Sequence, residues 1–322
     1  MAAAKIESSK IFAKQLMAEA GIPTAHAHEF ARSRDAIEFA RSSRQAWVVK
    51  ADGLASGKGV VVAEDLEQTI LAIQQLSTLG SGQRILLEQR LSGPEISMLA
   101  LCSGERLLAL APARDHKRLL DGDHGPNTGG MGAIAPVALD EQDMAYIVER
   151  TMRPVLHVLA AARRPYCGVL YAGLMLTEHG PRVLEYNSRF GDPEAQAILP
   201  LIEGDLLAAL AAAAGAGSQP FHEQMLGTSS ASAACVVLAS GGYPEQTQSG
   251  VAIRGLETLD DPNVFVFHSG TALDQGQLVT AGGRILGITG VGHSLPQALE
   301  RAYMAIDDIE FEGMQYRRDI GL

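Results

Sequence analysis

Aromatic residues are scarce in this 322-residue chain, at 5% with a single tryptophan. Apolar residues still reach 47%, and 34 glycines accompany them, the balance of a soluble α/β protein rich in turns. Cysteine is scarcer still. Cys102, Cys167 and Cys235 are odd in number, far apart and without CxxC spacing, which argues against a disulfide framework or a structural zinc site and fits a reducing, cytoplasmic setting. No apolar run approaches the roughly 20 residues that span a bilayer, so no membrane partner is expected. Basic residues number 26 against 37 acidic ones, for a net charge of −11, and they are scattered rather than striped. That excludes nucleic acid or an anionic membrane as the main partner, while a phosphorylated small molecule needs only a local basic cluster.

Several catalytic signatures are missing as well. The nine histidines form no HExxH and no paired ligand spacing, and no GxSxG or Cys–His arrangement points to nucleophilic catalysis. In "VVKADGLASGKGVVVA", residues 48–63, Gly53 and Gly57 have only three residues between them and Gly59 follows Lys58. A P-loop needs four residues between its glycines and Ser or Thr after the lysine. A dinucleotide fingerprint fails because Val62 stands where its third glycine belongs and no helix follows.

The length allows two or three domains on the scale of roughly 100–200 residues each. The opening segment "MAAAKIESSKIFAKQLMAEAG" reads as an amphipathic helix capped by Ser8 or Ser9 and stopped by Gly21 and Pro23, not as an export signal. Ser33 to Ser43 reads as a helix with Ala36, Ile37 and Ala40 inward, and Leu66 to Leu76 as another capped by Asp65. Residues 84–91 read as a buried strand that emerges at Glu88 and Gln89, and 93–118 as two antiparallel strands meeting at Ser103-Gly104. Residues 120–136 read as a long glycine loop, 140–162 as a helix, and 166–187 as a hairpin turning at 178–180. A helix over Asp205 to Ala214 leads into "GAGSQP", the best linker in the sequence. Strands near 233–239, 264–269 and 284–290 and a helix over 295–307 complete the pattern.

Three stretches carry chemistry. The first is the glycine loop between two β-branched runs, which can fold over a nucleotide's phosphates with bare backbone amides as donors and Lys50 and Lys58 as charges. An ordinary hairpin with surface lysines fits that loop equally well. The second is "RVLEYNSRFGDPE", residues 182–194, where strand alternation puts Val183, Glu185 and Asn187 on one face. A carboxylate and an amide oxygen so placed suit magnesium, which takes one or two carboxylates and completes its shell with phosphate and water. Arg189 follows, suited to gripping a phosphate or carboxylate. The third is "RDHKRLLDGDHGPNTGGMGA", residues 114–133, whose glycine-rich loop can also meet an anion and carries Asp115, Lys117 and Arg118 just ahead of it. A further stretch, "LLEQRLSGPEIS", could line an adenine edge with backbone groups, with Glu95 accepting from ribose, or could be an edge strand with polar ends.

Taken in order, Lys10 near a helix start, "VVKADGLASGKGVVV", "LLEQRLSGPEIS", "GPNTGGMGA" and "VLEYNSRFGDPEAQ" resemble the ATP-grasp superfamily. "DHKRLLDGDHGPNTGGMGA", "GLMLTEHGPRVLEYNSRFGDPEAQ" and the terminal "YRRDIG" narrow the resemblance to the glycinamide ribonucleotide synthetases, the phosphoribosylamine–glycine ligases of purine synthesis. The resemblance runs from about residue 5 to 322. It implies an α/β (α+β) ATP-grasp fold over residues 1–232 with a small lid subdomain at about 25–92, and a β-rich C-terminal domain over 233–322. It implies ATP-driven joining of glycine to 5-phosphoribosylamine through glycyl phosphate. By motif position, Lys10, Lys50, Gly57, Lys58, Gly59 and Asn127 would belong to the ATP-binding set, with the backbone of Glu88, Gln89 and Leu91 at adenine and Glu95 at ribose. Glu185 and Asn187 would bind Mg²⁺ or Mn²⁺. Arg189 and Lys58 would act on the transferring phosphate, and Asp115 and Lys117, with the 125–133 loop, on the substrate side.

Two departures bear on this. The family normally begins with a dinucleotide-fold-like domain of about a hundred residues that contributes to phosphoribosylamine binding, and no such segment is in this sequence. A separate chain carrying that domain is therefore among the implied partners. Many ATP-grasp enzymes also place an acidic metal ligand on the strand before Glu-x-Asn, where "YAGLML" offers none, the pattern of this family. A ligase for a different amine and a non-catalytic ATP-binding module are the other readings. Retention of Lys50, Lys58, Glu185, Asn187 and Arg189 together weighs against the module.

Overall fold

A computed structural model describes residues 3–53, 59–78 and 84–322. Gly57 and Lys58 lie outside the described residues. The chain forms two compact units, each assembled from separate stretches: 1–109, 139–189 and 207–223 in the first, and 110–138, 190–206 and 224–322 in the second.

The first unit holds two antiparallel sheets. One joins Ala27–Phe30, Ile85–Glu88, Val48–Ala51 and Val60–Val62 in that spatial order. Helices Ser33–Ser43 and Leu66–Ser77 pack on it through Ala36, Ala40, Ala72, Ile73 and Leu76, and Trp47, Val49, Ile85 and Leu87 complete that core. The second helix begins where the sequence indicates, with the Asp65 carboxylate accepting from the Gln68 amide at 2.7 Å. The other sheet orders Gly180–Asn187, Cys167–Thr177, Glu95–Ser103 and Arg106–Ala109. Its central strand Glu95–Ser103 is buried from Ile96 to Cys102, so it shows the near-continuous apolar run of a strand covered on both faces rather than alternation. The 140–162 helix departs from a single regular rod. Glu141–Ile147 passes through a π-helical stretch, Val148–Met152, into Arg153–Ala161.

The second unit is built on a five-stranded sheet in the order Val264–His268, Arg284–Gly292, Ser232–Ala239, Gly132–Ala135, Arg114–Asp115. Helix Leu295–Asp307 packs Ala298, Ala302, Ala305 and Ile306 against Val236, Leu238, Leu286 and Ile288. Here the expectation of one long loop over 120–136 is wrong. That segment contains the hairpin strand His124–Asn127 and the fully buried strand Gly132–Ala135, paired on both sides. Glycine misleads there because it serves close approach, not a turn. A Cβ on Gly132 would sit 2.6 Å from the Cys235 carbonyl oxygen and 2.8 Å from the Ile320 side chain.

Candidate active site

The first unit encloses a cavity of about 330 Å³, within the range of small-molecule sites. Four elements converge on it. Helix Lys10–Glu19 starts at Ser9, whose hydroxyl accepts from the Phe12 amide at 3.1 Å and donates to Asp52 at 2.9 Å. That anchor ties the helix start to the exit of strand Val48–Ala51. Lys10, the first residue of the helix, then reaches the Gly53 carbonyl at 3.1 Å. Lys14 follows one turn later on the same face.

Lys14 and Lys50 both converge on Glu88. Its carboxylate lies 3.3 Å from the Lys14 ammonium and 3.1 Å from that of Lys50. All three side chains are at most 8% exposed. The sequence reading that the strand emerges at Glu88 is therefore corrected: Glu88 is buried and Gln89 is the first exposed residue. A buried carboxylate needs partners, and two lysines from two other elements supply them. Lys14 also donates to Thr24 Oγ1 at 2.6 Å and to the Ala25 carbonyl at 3.1 Å. Burial nevertheless pulls its pKa down to about 8, the attraction of Glu88 opposing that fall without cancelling it. Burial lowers Lys10 in the same way, against the pull of Glu185. One carboxylate between two ammonium groups leaves this floor of the cavity with excess positive charge, suited to a polyphosphate.

The far wall is strand Gly180–Asn187. A bulge interrupts it: Val183 pairs with Leu174 and Glu185 with Gly173, so Leu184 is the extra residue. Alternation therefore does not run from Val183 to Glu185 as the sequence pattern implies. It does hold from Glu185 to Asn187, and both line the cavity. The Leu184 carbonyl accepts from Lys50 at 3.0 Å. Tyr186 is buried with its hydroxyl on the Thr151 carbonyl. Just past the strand, Glu7 takes the Ser188 amide at 3.0 Å and Arg189 Nε at 3.1 Å, so Arg189 is held at the cavity edge. Glu7, Lys14 and Thr24 escaped the sequence reading.

Lys10, Lys50, Gly59, Glu88, Glu185, Asn187 and Arg189 all line this cavity, whereas Gln89, Leu91 and Glu95 do not. Asp115, Lys117 and Asn127 belong to the second unit. There Asp115 faces Gly130, where a Cβ would come within 2.7 Å of its carboxylate oxygen. The Lys117 carbonyl accepts from the Thr128 amide at 2.8 Å and its hydroxyl at 2.9 Å. Among the described residues no three His, Cys, Asp or Glu side chains form a metal-binding group. Glu185 and Asn187 offer two hard oxygen donors, few enough that phosphate and water would complete a magnesium shell.

The model of the phosphoribosylglycinamide synthetase ATP-grasp (A) domain matches residues 8–195, and that of the same enzyme's C domain matches 233–322. A phosphoribosylamine–glycine ligase from Rhodopirellula baltica is 43% identical over 99% of this chain and 75% of its own length. The chain belongs to the phosphoribosylamine–glycine ligase family. The human trifunctional purine biosynthetic protein adenosine-3 is also 43% identical, and the match spans 32% of that longer protein. The crystal structure of the Thermotoga maritima ligase superposes with a TM-score of 0.88 at 35% identity, covering 99% of this chain and 80% of that one. Membership in the ligase family places the cavity in an ATP-grasp fold. No helix among the described residues is long and apolar enough to cross a membrane.

Proposed function

We propose that the chain joins glycine to 5-phosphoribosylamine at the expense of ATP, with the cavity of the first unit as the nucleotide and phosphoryl-transfer site. The observation that carries this reading is the meeting of Lys10, Lys50 and Arg189 with Glu185 and Asn187 around one cavity. A glycine carboxylate oxygen attacks the γ-phosphorus and the bond to the β–γ bridging oxygen breaks, giving glycyl phosphate and ADP. The amine nitrogen of phosphoribosylamine then attacks the acyl carbon, phosphate departs, and the nitrogen loses a proton. Phosphoryl transfer asks mainly for positioning and charge neutralisation. Lys10 and Lys50 supply charge from below the polyphosphate, and Arg189, steadied by Glu7, supplies it at the transferring group. Glu185 and Asn187 would hold magnesium, which when bound neutralises phosphate oxygens that the cations alone leave charged. On this reading Lys58, Gly57 and Gly59 would cover the phosphates, Glu88, Gln89 and Leu91 would meet adenine and Glu95 ribose. Asp115, Lys117 and the 125–133 loop, Asn127 within it, serve the substrate side.

Replacing Glu185 by Gln keeps the shape and removes the charge, and Asn187→Leu removes an oxygen donor. Each is expected to raise the magnesium concentration that half-maximally enhances ATP-analogue binding by at least about tenfold, the scale found even for outer-shell partners of metal ligands. Metal-free affinity for the analogue should change little. Calorimetric titration at fixed magnesium levels reads both quantities, and an unchanged magnesium dependence in both variants would sink the assignment.

A further inference from the structure

The terminal motif "YRRDIG" takes no part in the reaction as derived, yet it contains the most completely enclosed guanidinium among the described residues. The Arg317 side chain is 2% exposed. Its Nε and Nη2 donate to the two oxygens of Asp319, each at 2.7 Å, a bidentate pair within the motif. Its Nη1 reaches outward to Asp123 at 2.6 Å and to the Arg118 carbonyl at 3.3 Å. The Asp319 carboxylate also accepts from the Gly122 amide at 2.8 Å, and two amides of the motif's backbone donate outward, Arg318 to Asp121 at 2.8 Å and Gly321 to His116 Nε2 at 3.1 Å. Tyr303 closes the rear, its hydroxyl donating to the Arg317 carbonyl at 3.0 Å.

Apart from those of Tyr303, the hydrogen bonds that leave this clasp fall on residues 116–123, within one short segment of the second unit. That segment is the first half of the hairpin in which Arg118 pairs with Asn127. Lys117 precedes it immediately, with its carbonyl bonded to Thr128 on the returning strand. The hairpin has little else to hold it: its strands are three and four residues long, and His124 to Asn127 are all exposed. A two-stranded ribbon of this size is marginal by itself. Its order depends on what docks against it.

We propose that the C-terminal clasp orders the 117–128 hairpin, and that Arg317 is a positioning residue for glycine binding by the substrate-side residues of the second unit. This rests on the reading that assigns Asp115, Lys117 and the 125–133 loop to the substrate side. Lysine cannot replace Arg317, because a single ammonium cannot span Asp319, Asp123 and the Arg118 carbonyl in a planar fork. Asp123 is the link on the hairpin side, and its side chain is 70% exposed, so Asp123→Asn loosens the clasp without opening a core.

The test is calorimetric titration of glycine into the 322-residue chain saturated with a non-hydrolysable ATP analogue, alongside titration of the analogue alone. Arg317→Lys is expected to weaken glycine binding about tenfold, and Asp123→Asn less in the same direction, while analogue affinity stays within about twofold. Lys117→Met provides the control for the underlying reading. Loss of glycine affinity in Lys117→Met with unchanged affinity in both clasp variants overturns the clasp proposal alone. Unchanged glycine affinity in Lys117→Met overturns the substrate-side reading itself. Parallel losses of glycine and analogue affinity in Arg317→Lys and Asp123→Asn would show a general structural role and also overturn the proposal.

Discussion

Lys14 shows what a single residue can hide from a sequence reading. Lysine usually keeps its charge in water, and a lysine four places after Lys10 reads as solvated surface. In the fold it is buried against Glu88, and burial holds its pKa down near 8 instead of the usual 10.5. The sign of the consequence follows from proton counting. Between about pH 8 and 10.5 the unfolded chain carries this proton and the folded chain does not, so stability contributed by this site rises with pH across that window. Below it both states are protonated and the full cost of burying the charge is paid. From pH 7.5 to 9.5 the gain amounts to about 2 kcal/mol. Lys14→Met should abolish that rise relative to the native chain, as read by denaturant midpoints at the two pH values. Equal pH dependence in both proteins would mean that Lys14 titrates normally. By contrast Glu185, Asn187 and Arg189, which line the cavity, stand in one short local motif whose residue types and spacing suggest oxygen ligands and an anion grip. Lys14 and Glu7 owe their places to partners far away in sequence, Glu88 and Arg189, and no local pattern reports those.

Among elements, helices were read best because their signals are local. Helix Leu295–Asp307 and helix Ser33–Ser43 have the bounds that their spacing predicts. Strands failed where glycine or a bulge intervened. Gly132–Ala135 was hidden by its glycines, and the extra residue at Leu184 broke an alternation that looked regular. At the bulge the Leu184 carbonyl accepts from Lys50 in the cavity wall. The start of helix Lys10–Glu19 can be tested directly. The Ser9 hydroxyl both caps the helix and donates to Asp52, which also accepts from the Ile11 amide at 3.2 Å and pairs with Arg84. Ser9→Ala removes the cap and one partner of a buried carboxylate, at a cost of about 1–2 kcal/mol. Ser9→Thr should restore most of it. Urea unfolding with an unchanged slope and a lowered midpoint would be the signature, and a midpoint equal to the native one would remove Ser9 from this role.

For the whole molecule, the proposed function divides the residues between the two units. The first contains the cations, Glu185 and Asn187 around its own cavity, and the second contains Asp115, Lys117 and the clasped hairpin. The sequence motifs were readable unit by unit. The interleaving was not, because each unit is stitched from three separate stretches of chain and local patterns carry no record of which stretches meet. Residues 1–322 correspond to 75% of the length of the Rhodopirellula ligase, and the family resemblance assigns part of phosphoribosylamine binding to a further, N-terminal domain. Nucleotide binding and complete turnover should therefore separate. The side chains proposed to contact phosphate lie within the chain, so a non-hydrolysable ATP analogue with magnesium should bind to residues 1–322 alone, with heat detectable at millimolar ligand. Phosphate release with glycine and phosphoribosylamine should be weak or absent in the same preparation, and should rise when the family's N-terminal domain is added in trans. Adding that domain should lower the apparent KM for phosphoribosylamine more than that for ATP, because the cavity proposed for the nucleotide is formed by the first unit alone. Turnover by residues 1–322 alone that already matches the supplemented reaction would show that this chain holds the amine without further help.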